Sequence, residues 1–272
     1  MSERQAFLEA AREVAREAGT LLRERLGLSS RVSYKGEVDL VTESDNISQS
    51  LIVARLSSRF PGHDILAEEG LTRESGSPYR WVVDPLDGTT NFAHQFPVFC
   101  VSIGLENEGR TEVGVVYDPM REEMFWTLGG GGAFLNGRPI RVSAVADLGS
   151  SLLATGFPYD IRQTGDNVAH FGNFVVRAQA IRRCGSAALD LCYVACGRFD
   201  GFWEMKLNPW DVCAGALIVK EAGGRASDFS GEEFPGTVPH ILASNGLIHG
   251  QMMEVLRMGG TSPAAGRGDD GR

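Results

Sequence analysis

The stretch WVVDPLDGTTNF, residues 81–92, breaks an apolar run into two nearby acids and then into small hydrogen-bonding residues. The run predicts a buried strand that ends at Asp84, and the following Pro85 predicts a turn that brings Asp87 close to the first acid. Two carboxylates at one point repel each other unless a cation neutralises them. Hard cations such as Mg²⁺ prefer carboxylate, carbonyl and water oxygens, so the Leu86 carbonyl is a further candidate ligand. An ordinary turn whose aspartate caps a helix is the alternative.

The composition is that of an ordinary globular protein. The chain has 272 residues, of which 43% are hydrophobic and 22% charged, and its net charge is −9. This acidic balance, with no run of lysine and arginine, argues against nucleic acid as a partner. We find no signal-peptide core and no apolar stretch long enough to span a membrane, and the five cysteines include no CxxC pair. We therefore predict a cytoplasmic protein with free thiols and no membrane contact.

Hydrophobic periodicity divides the chain into two lobes and a tail. Residues 98–143 are strand-rich, and the glycines at 129–132 are interpreted as a hairpin connection, because a nucleotide-binding loop joins a strand to a helix. Beyond residue 150 strands and helices alternate, which is typical of an α/β unit. We predict an N-terminal α+β lobe with most metal ligands at 1–143, an α/β lobe with the substrate pocket at 144–258, and a disordered tail at 259–272.

Two amphipathic helices are predicted near the N-terminus. Residues 3–26 repeat apolar side chains at helical spacing, and Ser2 with Gln5 forms a candidate capping box. The second helix follows a short strand, with Thr42 or Ser44 as its N-cap.

Three further acids stand at similar places in the chain. Glu68 follows another strand-like run, and Asp211 stands where a helix begins behind the breaker Pro209. Asp45 stands at the start of the second helix, where a simple capping role is the alternative. Acids that are far apart in sequence, yet lie at strand ends and helix starts, are what a site for several Mg²⁺ ions requires.

The residues behind the second acid of the opening stretch suit a phosphate group. Gly88 allows close backbone approach, and Thr89 offers a hydroxyl. Ser186 opens another helix, with the small Ala187 behind it. Because free N–H groups at helix starts attract anions, we expect the helix starts near Thr89, Ser186 and Asp211 to converge on one cleft.

The segments WVVDPLDGTTNFAH and WDVCAGALIVKEAGG resemble the two signature motifs of the inositol monophosphatase family, which are magnesium-dependent, lithium-sensitive phosphatases. DLVTESD, AEEG and RRCGSAALDLCYVACGRFDGFWE also occur in the order and approximate spacing of that family. The resemblance covers about residues 5–258, and every acid expected at a metal position is present. It implies a layered α-β-α-β-α sandwich, an α+β/α/β fold in which an antiparallel-sheet lobe precedes an α/β lobe.

The resemblance also implies a role for each acid. One Mg²⁺ would be bound by Glu68, Asp84 and the Leu86 carbonyl. A second would be bound by Asp84, Asp87 and Asp211, and a third, weaker ion would also use Glu68. Two to three Mg²⁺ ions per active site are therefore expected.

The resemblance further implies the substrate and the chemistry. Asp45, Thr89 and Glu68 would be catalytic, with Asp45 and Thr89 polarising the attacking water, and Lys35 would belong to a mobile loop beside the site. The substrate would be a small phosphorylated polyol, inositol monophosphate, whose hydroxyls bind Glu204. The family is usually homodimeric. The implied substrate-binding residues are Glu68, Leu86, Asp87, Gly88, Thr89, Gly185, Ser186, Ala187, Glu204 and Asp211.

Two alternatives stay open at the level of sequence. One is a different phosphatase specificity: fructose 1,6-bisphosphate, 3′-phosphoadenosine 5′-phosphate or histidinol phosphate. A bisphosphate needs additional cations near the pocket, although each candidate is more simply a surface or interface charge. The other alternative is a regulatory binding protein that retains the fold. The candidate cations are Arg162, Arg182, Arg183 and Lys206.

Overall fold

A computed structural model describes residues 2–28, 32–34, 40–70, 72–233 and 240–259, without the side chains of 32–34 and 40–42. Lys35, and residues 260–272 of the predicted tail, lie outside the described residues. The helices are α1 Glu3–Arg25, α2 Glu43–Arg59, α3 Thr89–Ala93, α4 Ile161–Thr164, α5 Val168–Val175, α6 Ala187–Ala195, α7 Pro209–Glu221 and α8 His249–Arg257. The strands are β1 Val32–Tyr34, β2 Leu40–Thr42, β3 Asp64–Ala67, β4 Thr72–Arg73, β5 Tyr79–Asp87, β6 Cys100–Asn107, β7 Arg110–Asp118, β8 Glu123–Leu128, β9 Ala133–Leu135, β10 Arg138–Ile140, β11 Leu152–Thr155, β12 Ala180–Arg182, β13 Gly201–Met205, β14 Arg225–Ser227 and β15 His240–Ser244.

The elements form five layers, which confirms the predicted sandwich. The first sheet has eight strands in the order β10-β9-β8-β7-β6-β5-β3-β4, and the second has five in the order β12-β11-β13-β15-β14. Helices α1 and α2 pack on the outer face of the first sheet, whereas α6 and α7 lie between the two sheets. Helices α5 and α8 cover the far side of the second sheet.

Two glycines let the middle helix layer lie close to the first sheet. Gly104 on β6 pairs with Gly114 on β7. A β-carbon at Gly104 would lie 2.5 Å from Cys213 Sγ, and one at Gly114 would lie 2.8 Å from the Ala214 carbonyl oxygen. Helix α7 therefore rests on bare backbone, and its first turn, which carries Asp211, is held against the sheet.

The N-terminal helices refine the capping predictions. Helix α1 forms as predicted, and the Gln5 N–H donates to Ser2 Oγ over 3.3 Å. The Gln5 side chain donates to Glu9 instead, so the reciprocal half of the capping box is not formed by that amide. Ser44 is not the cap of α2, because it lies inside that helix and its buried hydroxyl accepts from Arg25. The side chain of Thr42 is outside the described residues.

The glycines at 129–132 connect β8 to β9, as the hairpin interpretation predicts. The N–H groups of Gly130 and Gly132 donate to the two carboxylate oxygens of Glu221 at the end of α7. The anion that these backbone amides hold is therefore part of the protein itself.

The two predicted lobes share packed side chains. One buried cluster combines Val116 and Phe125 of the first sheet with Leu191 and Phe202 from the second half of the chain. We retain the division at residue 143 as a proposal. All five cysteines are free, as predicted. In the part of the chain that the structure describes, none of the helices has the length and apolar character needed to cross a membrane.

Candidate active site

The two acids of the opening stretch reach one face of the sheet through a β-bulge. We predicted a turn after Asp84, but β5 continues through Pro85 to Asp87. Asp84 pairs with Ser102 and Asp87 with Cys100, so β5 contains one more residue than β6 between these pairs. Side chains three residues apart on a regular strand point to opposite faces of the sheet. The additional residue of the bulge shifts this alternation by one, so that Asp84 and Asp87 point to the same face. Both acids consequently line the same cavity.

Three carboxylates in this cavity each bind a main-chain N–H through one oxygen. Asp84 Oδ1 accepts from the Leu86 N–H over 2.9 Å. Asp87 Oδ2 accepts from Ala188 over 2.8 Å, and Asp211 Oδ2 accepts from Asn208 over 2.7 Å. These bonds fix one oxygen of each carboxylate against the backbone, which sets the orientation of the whole group.

The same carboxylates oppose one another electrostatically. Burial raises the pKa of Asp84 well above its usual range, and the negative charges of Glu68, Asp87 and Asp211 raise it further. Burial likewise raises the pKa of Asp211 and that of Asp87, although hydrogen bonds to both carboxylates act in the opposite direction. A cation bound among these four acids would remove this penalty.

The donor set fits Mg²⁺. Carboxylate and carbonyl oxygens are its preferred protein ligands, and it usually keeps several waters and substrate phosphate oxygens in its coordination shell. Among the described residues, no group of three or more His, Cys, Asp or Glu side chains is gathered closely enough to enclose a metal ion. The protein therefore supplies part of a coordination shell that water and substrate would complete.

Thr89 joins the acids to the start of α3. Its Oγ1 lies 2.9 Å from Asp45 Oδ1 and 3.1 Å from the Leu86 carbonyl oxygen. A hydroxyl has one hydrogen and two lone pairs, so Thr89 can donate to one of these acceptors and still accept from a water molecule. Gly88 precedes it with φ 101°, and a β-carbon there would lie 2.9 Å from the Val98 carbonyl oxygen, so only glycine fits this corner.

The predicted convergence of three helix starts is confirmed, since Thr89, Ser186 and Asp211 all line the cavity. The start of α6, however, already serves a protein anion. Ser186 Oγ donates to Asp87 over 2.6 Å, and the Ala188 N–H donates to the same oxygen. This helix start therefore positions a carboxylate as well as facing the cavity, which the sequence pattern did not indicate.

Glu204 forms the far side of the cavity. It is only 9% exposed, and burial together with the charge of Asp190 raises its pKa to about 8, although Arg183 counteracts this. A β-carbon at Gly156 would lie 2.0 Å from Glu204 Oε1, so the carboxylate packs directly on the backbone of that glycine. Sequence reasoning missed Gly156, because no local signal marks a glycine that makes room for a side chain on another strand.

Asn91 was also missed. Its Nδ2 donates to the Val98 carbonyl over 2.7 Å and to the Cys184 carbonyl over 2.8 Å. One amide thereby ties α3, which follows the two acids, to the segment that leads into α6. The motif contains this asparagine, but its partner is 93 residues away.

The structure brings almost all predicted site residues together around a cavity of about 280 Å³. Asp45 contacts the cavity residue Thr89, and Lys35 lies outside the described residues. Phe157, Pro158 and Tyr159 complete one wall, which the sequence did not predict. The predicted residues in the lining are Glu68, Asp84, Leu86, Asp87, Gly88, Thr89, Gly185, Ser186, Ala187, Glu204 and Asp211.

Comparison with known proteins agrees with this geometry. The model of the inositol monophosphatase family matches residues 3–258. Inositol-1-monophosphatase of Synechocystis sp. is 45% identical over 94% of this chain and 90% of its own length. Nus factor SuhB of Pseudomonas aeruginosa is 47% identical over 89% of this chain and 92% of its own length. The structure of inositol monophosphatase from Anabaena (Nostoc) sp. superimposes with a TM-score of 0.86 at 43% identity, covering 94% of this chain and 97% of that one. The chain therefore belongs to the inositol monophosphatase family, whose members are magnesium-dependent phosphatases.

Proposed function

We propose that this phosphatase is a phosphoric monoester hydrolase that converts inositol monophosphate and water into inositol and phosphate. The observation that carries the proposal is the β-bulge of β5, which turns Asp84 and Asp87 to one face opposite Asp211. The cavity also contains a hydroxyl relay and a buried acid at its far side. These features supply a place for a phosphate ester and separate contacts for the alcohol.

The carboxylates would hold two to three magnesium ions. Glu68, Asp84 and the Leu86 carbonyl would form one ligand set, and Asp84, Asp87 and Asp211 a second. Glu68 would also contribute to a third, weaker set. Magnesium, when bound, supplies positive charge that polarises the phosphoryl oxygens and makes water a stronger acid. The fixed orientation of these three carboxylates around one cavity supports this assignment.

Thr89 and Asp45 would orient the attacking water. Thr89 Oγ1 accepts a hydrogen bond from the water while its own hydrogen points to Asp45 Oδ1. Asp45 is fully buried and hydrogen-bonded to Thr89, so its carboxylate would take up the proton that the attacking water loses. The water then attacks phosphorus in line, the bond to the ester oxygen breaks, and that oxygen takes a proton from a solvent water and leaves as the alcohol.

The phosphate and the polyol would bind at opposite ends of the cavity. Gly88, Thr89 and the segment from Gly185 to Ala187 would surround the phosphate. The Glu204 carboxylate would accept hydrogen bonds from the polyol hydroxyls, which its buried position makes stronger than in water. We also retain two sets of proposals: a homodimer, from the family resemblance, and a cytoplasmic location without nucleic-acid or membrane partners, from the composition of the sequence.

The test is phosphate release from a panel of esters, with magnesium and with chelator. Inositol monophosphate should be hydrolysed only with magnesium, and Asp84→Asn should abolish turnover of every ester. The control Asp147→Asn makes the same chemical change at an exposed aspartate that directly precedes residues 148–150, and it should leave turnover unchanged. Full activity in chelator, or no release of phosphate from any ester, would contradict the proposal.

A second candidate is a binding role beside catalysis. The Pseudomonas relative that carries the name Nus factor SuhB is as similar to this chain as the relative named for inositol-1-monophosphatase, at 47% and 45% identity. Capture experiments with the wild type and Asp84→Asn separate the two roles. A partner that both proteins retain equally would be bound by a surface independent of catalysis. A partner that only the wild type retains would be bound through the active site.

A further inference from the structure

The four cations that the sequence offered for a second anionic group differ sharply in their surroundings. Lys206 Nζ lies 2.6 Å from both Asp160 Oδ2 and Asp166 Oδ2, so its charge is already neutralised. Arg182 is exposed and donates to the Ile181 carbonyl, its own chain neighbour. Arg162 is on the exposed helix α4 and is not part of the cavity lining.

Arg183 alone of these four combines a place in the cavity lining with an unpaired guanidinium. It makes no hydrogen bond or ion pair with any residue that the structure describes. Its Nη1 lies so close to Gly185 that a β-carbon there would come within 2.5 Å. The guanidinium therefore stands directly over the segment that leads into α6.

The charge of Arg183 also acts on the far side of the cavity. It lowers the pKa of Glu204 and that of Asp190, against the larger effect of burial on both acids. Asp190 is only 1% exposed, and its Oδ1 has no hydrogen-bond partner among the described residues. The guanidinium is thus positioned between the phosphate end and the polyol end, on the side where the alcohol leaves.

We propose that Arg183 is a specificity-determining residue that binds a second anionic group, such as a second phosphate, on the leaving alcohol. This deepens the proposed function and rests on it, because it names the class of substrate that the same cavity favours: polyol or sugar bisphosphates. A planar guanidinium presents paired N–H donors that match two oxygens of one phosphate. Glu204 then binds a hydroxyl of the same alcohol, so the two residues read different groups.

The experiment compares fructose 1,6-bisphosphate with fructose 1-phosphate, a pair that differs only in the second phosphate. The measured quantity is the ratio of their kcat/KM values. In the wild type this ratio should exceed one, and Arg183→Gln should reduce it by about tenfold, the loss expected for one charge-assisted contact. Arg183→Lys retains the charge without the planar guanidinium, so its ratio should lie between that of the wild type and that of Arg183→Gln. The control Arg182→Gln removes the adjacent exposed arginine and should leave the ratio unchanged.

Hydrolysis of p-nitrophenyl phosphate and inhibition by inorganic phosphate complete the design. Both should be unaffected by Arg183→Gln, because neither molecule carries a second anionic group. An equal loss for all esters together with weaker phosphate inhibition would show that Arg183 binds the transferred phosphate instead, and would overturn the proposal. A wild-type ratio of one or less, or a ratio that Arg183→Gln leaves unchanged, would also overturn it. Hydrolysis of the monophosphates would still support the phosphatase function in either case.

Discussion

The two ends of the active-site cavity are built in different ways. At the phosphate end, Asp84 and Asp87 are buried and Asp211 is half-buried, and each is fixed by a main-chain N–H. At the leaving-group end, the exposed side chains of Arg183 and Lys206 form part of the wall, and Lys206 Nζ is held by the side chains of Asp160 and Asp166. Backbone contacts persist when neighbouring side chains change, whereas exposed ion pairs contribute at most about 1 kcal/mol. We therefore expect the first end to determine whether any ester reacts and the second to determine which ester reacts best.

The largest effect is expected at the phosphate end. Asp84→Asn removes a ligand shared by two proposed ion sites. Mutating a residue that only supports a metal ligand costs up to about a hundredfold in activity, so losing a ligand itself should reduce kcat/KM for every ester by more than that. The measurement is phosphate release from inositol monophosphate and p-nitrophenyl phosphate. A selective loss for one ester would erase the distinction between the two ends.

The same variant has an opposite effect on stability. In chelator the wild type retains mutually repelling buried acids, so Asp84→Asn should have an equal or higher melting temperature. Magnesium should then raise the melting temperature of the wild type far more than that of the variant. Thermal denaturation in both buffers checks this, and an equal gain from magnesium would remove Asp84 from the proposed ligand set.

The next effect is a change of specificity at Glu204. Above pH 8, where this carboxyl is ionised, Glu204→Gln keeps the shape but loses a charged acceptor, which should lower kcat/KM for inositol monophosphate by about ten- to a hundredfold. Esters without neighbouring hydroxyls should be affected much less. The ratio of the two kcat/KM values, measured for wild type and variant, is the decisive quantity, and an unchanged ratio would mean that Glu204 does not bind the polyol.

Stability provides an independent check of the Glu204 environment. The pKa of this group is raised from 4.5 to about 8 by burial first and then by Asp190. The folded state therefore binds more protons than the unfolded state between these values, and the stability of the wild type falls as the pH rises through that window. Glu204→Gln removes this titration. In metal-free buffer, the melting temperature of Glu204→Gln minus that of the wild type should increase from pH 5 to pH 9. A difference that stays constant would contradict the assignment of Glu204 as a buried acid.

Gly156, which packs against Glu204, provides a further test of the leaving-group end. Gly156→Ala places a β-carbon about where Glu204 Oε1 lies, so the carboxylate has to move, and discrimination for inositol monophosphate should fall by about tenfold. The control is Gly172→Ala in α5, where a β-carbon meets nothing within 4 Å. If the two changes act through one carboxylate, Gly156→Ala combined with Glu204→Gln should be little worse than Glu204→Gln alone. Additive losses would show a separate role for Gly156.

The acids could be predicted from the sequence because local patterns mark them. A strand-like run that ends in acid, and an acid behind a helix-breaking proline, identify Asp84 and Asp211 without knowledge of the fold. The family resemblance then supplied the layered architecture and the role of Glu204. Both the acids and the resemblance can be recognised from short segments of the sequence, without knowledge of the fold.

The contacts that complete the site could not be predicted in this way. The bulge at Asp87 depends on the register of β5 against β6, and the amide that fixes Asp87 belongs to Ala188, 101 residues further along the chain. Gly156 matters only because β13 places Glu204 against it. Ser44 looks like a helix cap in sequence, but its hydroxyl accepts from Arg25 on another helix. Each of these depends on tertiary packing between distant segments.

The smallest effect is expected from Lys206, which tests whether exposed side chains position the leaving-group wall. Its ion pairs hold Asp160 and Asp166, in the segment that follows the wall residues Phe157, Pro158 and Tyr159. The three charged side chains are 30% to 43% exposed, so their pairing contributes at most about 1 kcal/mol, which corresponds to roughly a fivefold change in KM.

Lys206→Met keeps the apolar stem and removes the charge. We expect KM for inositol monophosphate to rise two- to fivefold, about what an exposed pair can contribute, with kcat and the hydrolysis of p-nitrophenyl phosphate unchanged. The control Lys220→Met breaks a comparable exposed pair with Glu233 outside the cavity and should have no effect. Because salt screens exposed charges, the difference between Lys206→Met and the wild type should shrink as ionic strength increases. A difference that is independent of salt would mean that Lys206 acts through packing rather than charge, and that this wall is as firmly built as the phosphate end.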